Sequence, residues 1–180
     1  QVDELTIENT RLQQDRYELT NLRELYKLDA QYDEYEKTGA RIIARDSGNW
    51  FHSFVINKGS QDGIAVNMNV MAGSGLVGRV VDVGPNWAKV KAIIADDSNV
   101  SAMVLSSSDN MIVSGNLKRY ASGVIEFGLL VDSDNVVMEG DKIVTSNISD
   151  IYLPGILVGY ISKINQDPNN LRKSGDITPA

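Results

Sequence analysis

Gly73-Ser74-Gly75-Leu76-Val77-Gly78-Arg79-Val80-Val81-Asp82-Val83 is the stretch on which the fold turns. Its first six residues fit the GxGxxG fingerprint of dinucleotide-binding folds. That fingerprint works only where the last glycine opens a helix whose N-terminus meets a pyrophosphate. Here the following residues are β-branched and alternate with polar ones, so the glycines mark a hairpin turn and the stretch is a strand. The same grammar extends in both directions. Strands are expected over 40–46, 51–58, 69–72, 76–83, 87–95, 100–105, 111–117, 123–131, 142–146 and 156–164, separated by Gly, Asp, Asn and Ser turns. About ten short strands with such spacing predict an all-β sandwich or barrel body.

An internal echo refines this. Residues 64–71 (IAVNMNVM) precede Gly75-Leu76-Val77-Gly78-Arg79-Val80, and residues 136–144 (VVMEGDKIV) precede Gly155-Ile156-Leu157-Val158-Gly159-Tyr160-Ile161. Each copy has a strand entering after a polar turn and then a Gly-flanked apolar strand. The second copy carries an insertion at 147–154. The echo predicts two small β-barrels of related design. Residues 39–105 belong mostly to the first and 106–165 mostly to the second, while 166–180 return toward the first.

Residues 1–38 follow another pattern. They contain no Gly and no Pro, and ten acidic against five basic side chains. Such sequence favours helix. Leu5, Leu12, Leu19 and Tyr26 recur every seven residues; with these at d, the a positions are Val2, Asn9, Arg16 and Arg23. A leucine seam with Asn9 at one a position fits a parallel two-stranded coiled coil, in which a buried Asn sets register, while the two arginines weaken it. A solvated single helix, or one packed only on its own domain, is the competing reading. The self-association residues expected are Leu5, Asn9, Leu12, Leu19 and Tyr26.

Composition narrows function. The net charge is −7 with a pI near 4.7, and no Lys/Arg-dense stretch supplies the basic face that nucleic acid requires. There are no cysteines, which excludes disulfides, thiol nucleophiles and Cys-based zinc sites. No apolar run approaches the roughly 20 residues that span a bilayer. The sequence begins with Gln1 rather than Met, in mid-pattern, as expected of a piece whose upstream segment is missing.

The candidate chemistries are weak. Asp46-Ser47-Gly48 and His52 superficially suggest a serine hydrolase, but they flank one tight turn, with Trp50-Phe51 between them, and a triad needs the base to reach the nucleophile. Asp132-Ser133-Asp134 opens like a calcium loop, yet Val136, Val137 and Ile143 stand where the further oxygen ligand, the glycine and the glutamate belong. Asp96-Asp97 reads as a solvated turn. No catalytic residue, metal or cofactor is expected. What remains conspicuous is apolar: Trp50-Phe51 after a turn, and Ile151-Tyr152-Leu153-Pro154 in the inserted loop. Ile151, Tyr152 and Leu153 are the candidate partner-docking residues.

Several stretches resemble one family. Ala40-Arg41-Ile42-Ile43-Ala44-Arg45-Asp46, Asn49-Trp50-Phe51, Ile56-Asn57-Lys58-Gly59-Ser60-Gln61-Asp62-Gly63 and Gly75-Leu76-Val77-Gly78-Arg79-Val80-Val81 are similar to the extracytoplasmic region of the rod-shape-determining MreC family. So are Gly140-Asp141, Val144-Thr145-Ser146, Pro154-Gly155-Ile156 and Val158-Gly159. The resemblance makes Trp50, Phe51, Gly59, Asp62, Gly63, Gly75, Gly78, Pro154, Gly155 and Gly159 structural motif residues. It implies a coiled coil and two β-barrels outside the membrane, held by an N-terminal membrane helix. It implies a non-enzymatic scaffold of cell elongation and peptidoglycan synthesis that self-associates as a dimer or filament. Its implied partners are a class B penicillin-binding transpeptidase and an MreD-like membrane protein. The family's second barrel is likened to chymotrypsin-type barrels, so a hydrolase on a protease-like double barrel is the alternative. Two departures stand out. His52 occupies a place where a small polar residue is usual, and the family continues past a Pro-Ala element, so an exposed edge is expected near Pro179-Ala180.

Overall fold

A computed structural model describes residues 2–33, 35–45, 52–73, 75–132, 134–166 and 172–180; the side chains of 2–4, 17, 20, 21 and 24–31 also stand outside the description. Trp50 and Phe51 are therefore outside the described residues, as is the side chain of Tyr26. The chain divides into two compact units, Gln1–Thr38 and Gly39–Ala180.

The first unit is the helix α1, Val2–Gln31, 30 residues long, or about 45 Å at 1.5 Å per residue. Expected through residue 38, it stops at Gln31. Tyr35 N–H donates to the Tyr32 carbonyl at 3.3 Å, and the Lys37 ammonium donates to the same carbonyl. A lysine near a helix C-terminus interacts favourably with the exposed carbonyls there. Leu5, Asn9, Leu12 and Leu19 are all exposed on the single chain, with Leu12 at 53% and Leu19 at 49%.

The second unit is mainly β, as expected. Its strands are β1 Ile42–Arg45, β2 Ser53–Ile56, β3 Asn69–Ala72, β4 Gly75–Val83, β5 Ala88–Ala92, β6 Asn99–Val104, β7 Asn110–Ser114, β8 Ile125–Leu130, β9 Lys142–Thr145, β10 Leu157–Gln166 and β11 Lys173–Pro179. A short helix, α2 Leu117–Tyr120, lies between β7 and β8. Strands β10, β11, β8, β7, β6 and β9 pair in that order, and β9 pairs again with β10, closing a six-stranded ring. The other five pair in the order β3, β4, β5, β2, β1 and remain an open sheet among the described residues. Among the described residues one ring closes, so the second expected barrel is not confirmed. β6 is bonded to β7 and β9 inside the ring. β11 lies between β10 and β8, so Lys173–Pro179 has a neighbour on both sides rather than the expected exposed edge.

The two groups are copies of one design. β3 pairs with β4 at Asn69–Arg79, Val70–Gly78 and Met71–Leu76, skipping Val77. β9 pairs with β10 at Lys142–Tyr160, Ile143–Gly159 and Val144–Leu157, skipping Val158. A second bulge follows in each copy: β4 skips Val81 against β5, and β10 skips Ser162 against β11. The entry turns also match. Asn67 N–H donates to the Val80 carbonyl and Gly140 N–H to the Ile161 carbonyl, and Asn67 and Gly140 both have left-handed backbones at φ 72° and 94°. β2 and β8 take equivalent places, with Phe54 opposite Val90 and Ile125 opposite Ile177. The sheet β3-β4-β5-β2-β1 therefore corresponds to β9-β10-β11-β8-β7, and β6 is the extra strand that closes the ring.

Close backbone approach explains one recurring glycine. A Cβ on Gly78 would lie 2.1 Å from the Lys91 carbonyl oxygen, and one on Gly159 would lie 2.2 Å from that of Thr178. These are equivalent places in the two copies. The ring core then fills with alternating small aliphatics, among them Val100, Ala102, Val104, Val113, Ile125 and Ile177, all fully buried. The open half is centred on Phe54, Ile56, Val80, Ala88 and Val90.

Gly78→Ala and Gly159→Ala each force a backbone shift, with an expected loss of about 2–3 kcal/mol, in the range of core overpacking. Urea unfolding of both variants checks this; equal and negligible losses would contradict the close approach.

Candidate functional site: an apolar loop held by a buried threonine

The insertion that distinguishes the two copies is the loop between β9 and β10. Thr145, at the end of β9, is fully buried. Its hydroxyl donates to the Leu153 carbonyl at 2.5 Å and accepts the Ile156 N–H at 2.9 Å. Gly155, at φ 82°, turns the chain so that its own N–H reaches the Thr145 carbonyl at 3.0 Å. One side chain thus closes the Pro154-Gly155 turn from both sides. Asn69 on β3 holds the loop tip: its amide donates to the Ile151 carbonyl at 3.0 Å and its Oδ1 accepts the Leu153 N–H at 2.8 Å.

This clamping decides which apolar residues face out. Tyr152 is only 4% exposed, while Ile151 and Leu153 are 39% and 44% exposed. The Tyr152 hydroxyl meets Ser98 and Arg79, and burial pushes it up from the ordinary phenol range against the pull of Arg79. Tyr152, expected among the docking residues, is thus buried on the single chain and seats the loop. Val66 and Met68, exposed in the turn that enters β3, and Ile148 in the loop extend the apolar surface. Only the backbone positions of Ile151 and Leu153 are bonded to β3 directly.

A second loop, 131–141, presents exposed Val131, Val136 and Met138. Asp132 organises it. Its carboxylate accepts the N–H groups of Val136 at 2.9 Å and Val137 at 3.1 Å, and the Lys173 ammonium at 2.6 Å. Burial pushes the Asp132 carboxyl up, but Lys173 and the two amides outweigh it and hold it below the usual carboxylate range. Asp132, the first residue of the stretch that opened like a calcium loop, thus binds a lysine. No group of three or more metal-binding side chains occurs among the described residues.

The family described as "Rod shape-determining protein MreC, barrel core" matches residues 42–180. The chain belongs to the MreC family. The cell shape-determining protein MreC of Listeria monocytogenes is 30% identical over 173 residues, covering 88% of this chain and 54% of that protein. The chain thus spans about half the length of this curated MreC relative. The solved MreC structure from Listeria monocytogenes is 28% identical with a TM-score of 0.71, covering 98% of this chain and 87% of that one. A structure titled as a complex between Penicillin-Binding Protein (PBP2) and MreC from Helicobacter pylori is 18% identical with a TM-score of 0.62, covering 78% of this chain and 84% of that one; it shares the fold.

Gly59, Asp62, Gly63 and Gly75, four of the residues expected as structural motif positions, lie at a turn and a strand junction. Asp62 accepts the Gly59 N–H at 3.1 Å and the Lys58 ammonium at 2.9 Å; the lysine first, then the amide, lowers its pKa. Gly63, at φ 82°, ends that turn. A Cβ on Gly59 would lie 2.3 Å from the Gly84 carbonyl oxygen, where the turn meets the β4–β5 hairpin. Gly75 lies where β4 meets β10. For the hydrolase alternative, Ser47 lies outside the described residues. His52 is exposed, and Asp97 is committed first to a hydrogen bond with Lys91, with His52 only a minor influence on it.

Thr145→Val leaves the buried Ile156 N–H and the Leu153 carbonyl unpaired, an expected loss of about 2 kcal/mol. Denaturant unfolding measures the loss, and faster amide exchange at 153–156 locates it. For Asp132 the folded pKa is depressed, so its stabilisation is fully present above the unfolded value and is lost as pH falls through the folded one. The melting temperature should drop below about pH 4, and Asp132→Asn should flatten that part of the profile. An unchanged acid limb in the variant would mean that other carboxylates carry it.

Proposed function

We propose that this chain is a non-enzymatic extracytoplasmic scaffold of the bacterial cell-elongation machinery, organising peptidoglycan synthesis through protein binding. The match of residues 42–180 to the MreC family carries this reading. The local chemistry agrees with it. Thr145, Asp62 and Asp132, the polar side chains that sequence motifs single out, are engaged in closing turns. Apolar features turned outward are Ile151 and Leu153 on the loop, and Leu5, Leu12, Leu19 and Leu22 of α1.

The partner this surface fits is a class B penicillin-binding transpeptidase. The solved relative whose title names a penicillin-binding protein complex supports that choice. An MreD-like membrane protein is the second partner, and a membrane anchor N-terminal to this sequence holds the molecule at the extracytoplasmic face of the cell membrane. No helix among the described residues is long and apolar enough to cross a membrane. The seam Leu5, Asn9, Leu12, Leu19 and Tyr26 forms a parallel coiled-coil dimer, which buries leucines that are exposed on the single chain.

Biolayer interferometry against the extracytoplasmic part of a class B penicillin-binding protein tests this. Residues 1–180 should bind saturably in the micromolar range or tighter, and Ile151→Asp with Leu153→Asp should weaken binding about tenfold or more. Leu12→Asp with Leu19→Asp should keep one-to-one binding but halve the particle mass in light scattering. No binding by the folded wild-type chain would remove the transpeptidase as partner.

A further inference from the structure

One turn is built twice in the molecule, with a different atom at its centre. In the ring, the turn 138–141 leads into β9. Asp141 N–H donates to the Met138 carbonyl at 3.3 Å, and the Asp141 carboxylate accepts the Met138 N–H at 2.9 Å. In the open half, the turn 65–68 leads into β3. Met68 N–H donates to the Ala65 carbonyl at 3.3 Å, and the Met68 sulfur accepts the Ala65 N–H, also at 3.3 Å. The flanking bonds match as well. Val80 N–H donates to the Met68 carbonyl at 2.8 Å, as Ile161 N–H donates to that of Asp141 at 3.0 Å. A thioether thus closes in one copy the turn that a carboxylate closes in the other.

The choice of acceptor has a chemical sense. Aspartate is an ordinary partner for a backbone N–H three residues earlier, while a thioether sulfur is a weak one. Met68 is 43% exposed and lies on the apolar surface of Val66, Ile148, Ile151 and Leu153, where a carboxylate would place a charge. Sulfur closes the turn and keeps that surface apolar. It is also the acceptor that a mild oxidant changes, because a sulfoxide adds a polar oxygen to it. The Asp141 turn shows that the same backbone geometry holds an oxygen acceptor at this place.

We propose that Met68 is a reversible oxidation site, at which one oxygen from a hydroperoxide turns the apolar docking surface polar while the turn stays closed. The thioether sulfur attacks one peroxide oxygen. The S–O bond forms as the O–O bond breaks, and sulfur gives up an electron pair. With hydrogen peroxide, the proton of the attacked oxygen passes to the departing one, which leaves as water. Methionine sulfoxide reductases, one for each sulfur epimer, restore the thioether. The other methionines differ. Met111 is buried, and Met71 and Met103 are half-buried. Met138 is 67% exposed and oxidises too, but it holds the place of Ala65 in its turn and contributes the backbone N–H, not the acceptor. The effect on docking rests on the transpeptidase reading above; the oxidation site and the closed turn do not.

The test treats residues 1–180 in a Met138→Leu background with dilute hydrogen peroxide and maps the added oxygen by peptide mass spectrometry. Met68 should take the oxygen before Met71, Met103 and Met111. The melting temperature should not fall. The Ala65 amide should exchange more slowly by about threefold or more, since a sulfoxide oxygen accepts more strongly than a sulfur. Binding to the extracytoplasmic part of a class B penicillin-binding protein should weaken about fivefold or more and recover after treatment with sulfoxide reductases. With Met68→Leu added, treated and untreated forms should bind alike. Oxidation elsewhere first, a lower melting temperature or a faster Ala65 amide overturns the site. Oxidation of Met68 with unchanged binding, where the untreated chain binds, overturns the switch. An untreated chain that does not bind removes the transpeptidase, and the site is then decided by the Ala65 amide.

Discussion

The molecule depends on one contact between backbones, the parallel approach of β4 and β10 at Gly75 and Leu157. A side chain at position 75 would place its Cβ 2.7 Å from that of Ala180 and 3.2 Å from the Leu157 carbonyl oxygen. Glycine lets the central strands of the two copies touch, so that the open sheet and the ring form one continuous eleven-stranded sheet. Each copy carries its bulges in the same places. Moving one bulge would turn the following residues to the other face.

Much of this was legible in the residues. The Gly-rich stretch before Arg79 read as a strand because β-branched residues follow it, and β4 runs from Gly75 to Val83. The echo between the segments around Gly78 and Gly159 was visible because both positions exclude a Cβ for the same reason. That the echo covers three strands with matching bulges was not visible, since bulges are decided by pairing partners rather than by local composition. The closure of only one copy was hidden likewise. β6 reads like any other short strand, and its two partners lie on either side of it in sequence.

The misses have definite physical origins. β11 escaped because Lys173, Ser174, Gly175 and Asp176 are poor strand formers; the segment is extended because β10 and β8 hold it on both sides and Asp132 neutralises Lys173. The end of α1 escaped because no Gly or Pro marks it. Tyr152 was grouped with its apolar neighbours because a run of loop residues carries no periodicity to say which one turns inward. Its seat is decided by Thr145, Asn69, Ser98 and Arg79, all distant in sequence or on other strands. Of residues 151–153, the side chains left exposed are thereby Ile151 and Leu153.

The place of β11 has a bearing on the order in which the molecule is made. It pairs on one side with β10, close in sequence, and on the other with β8, more than forty residues earlier. The ring therefore has no closed intermediate before Lys173–Pro179 emerges, while β3, β4 and β5 can zip locally as soon as they are available. Non-local closure of this kind is slow and leaves strand edges open meanwhile. A chain crossing a membrane as an extended thread would reach the far side with its open half assembled first and its ring last.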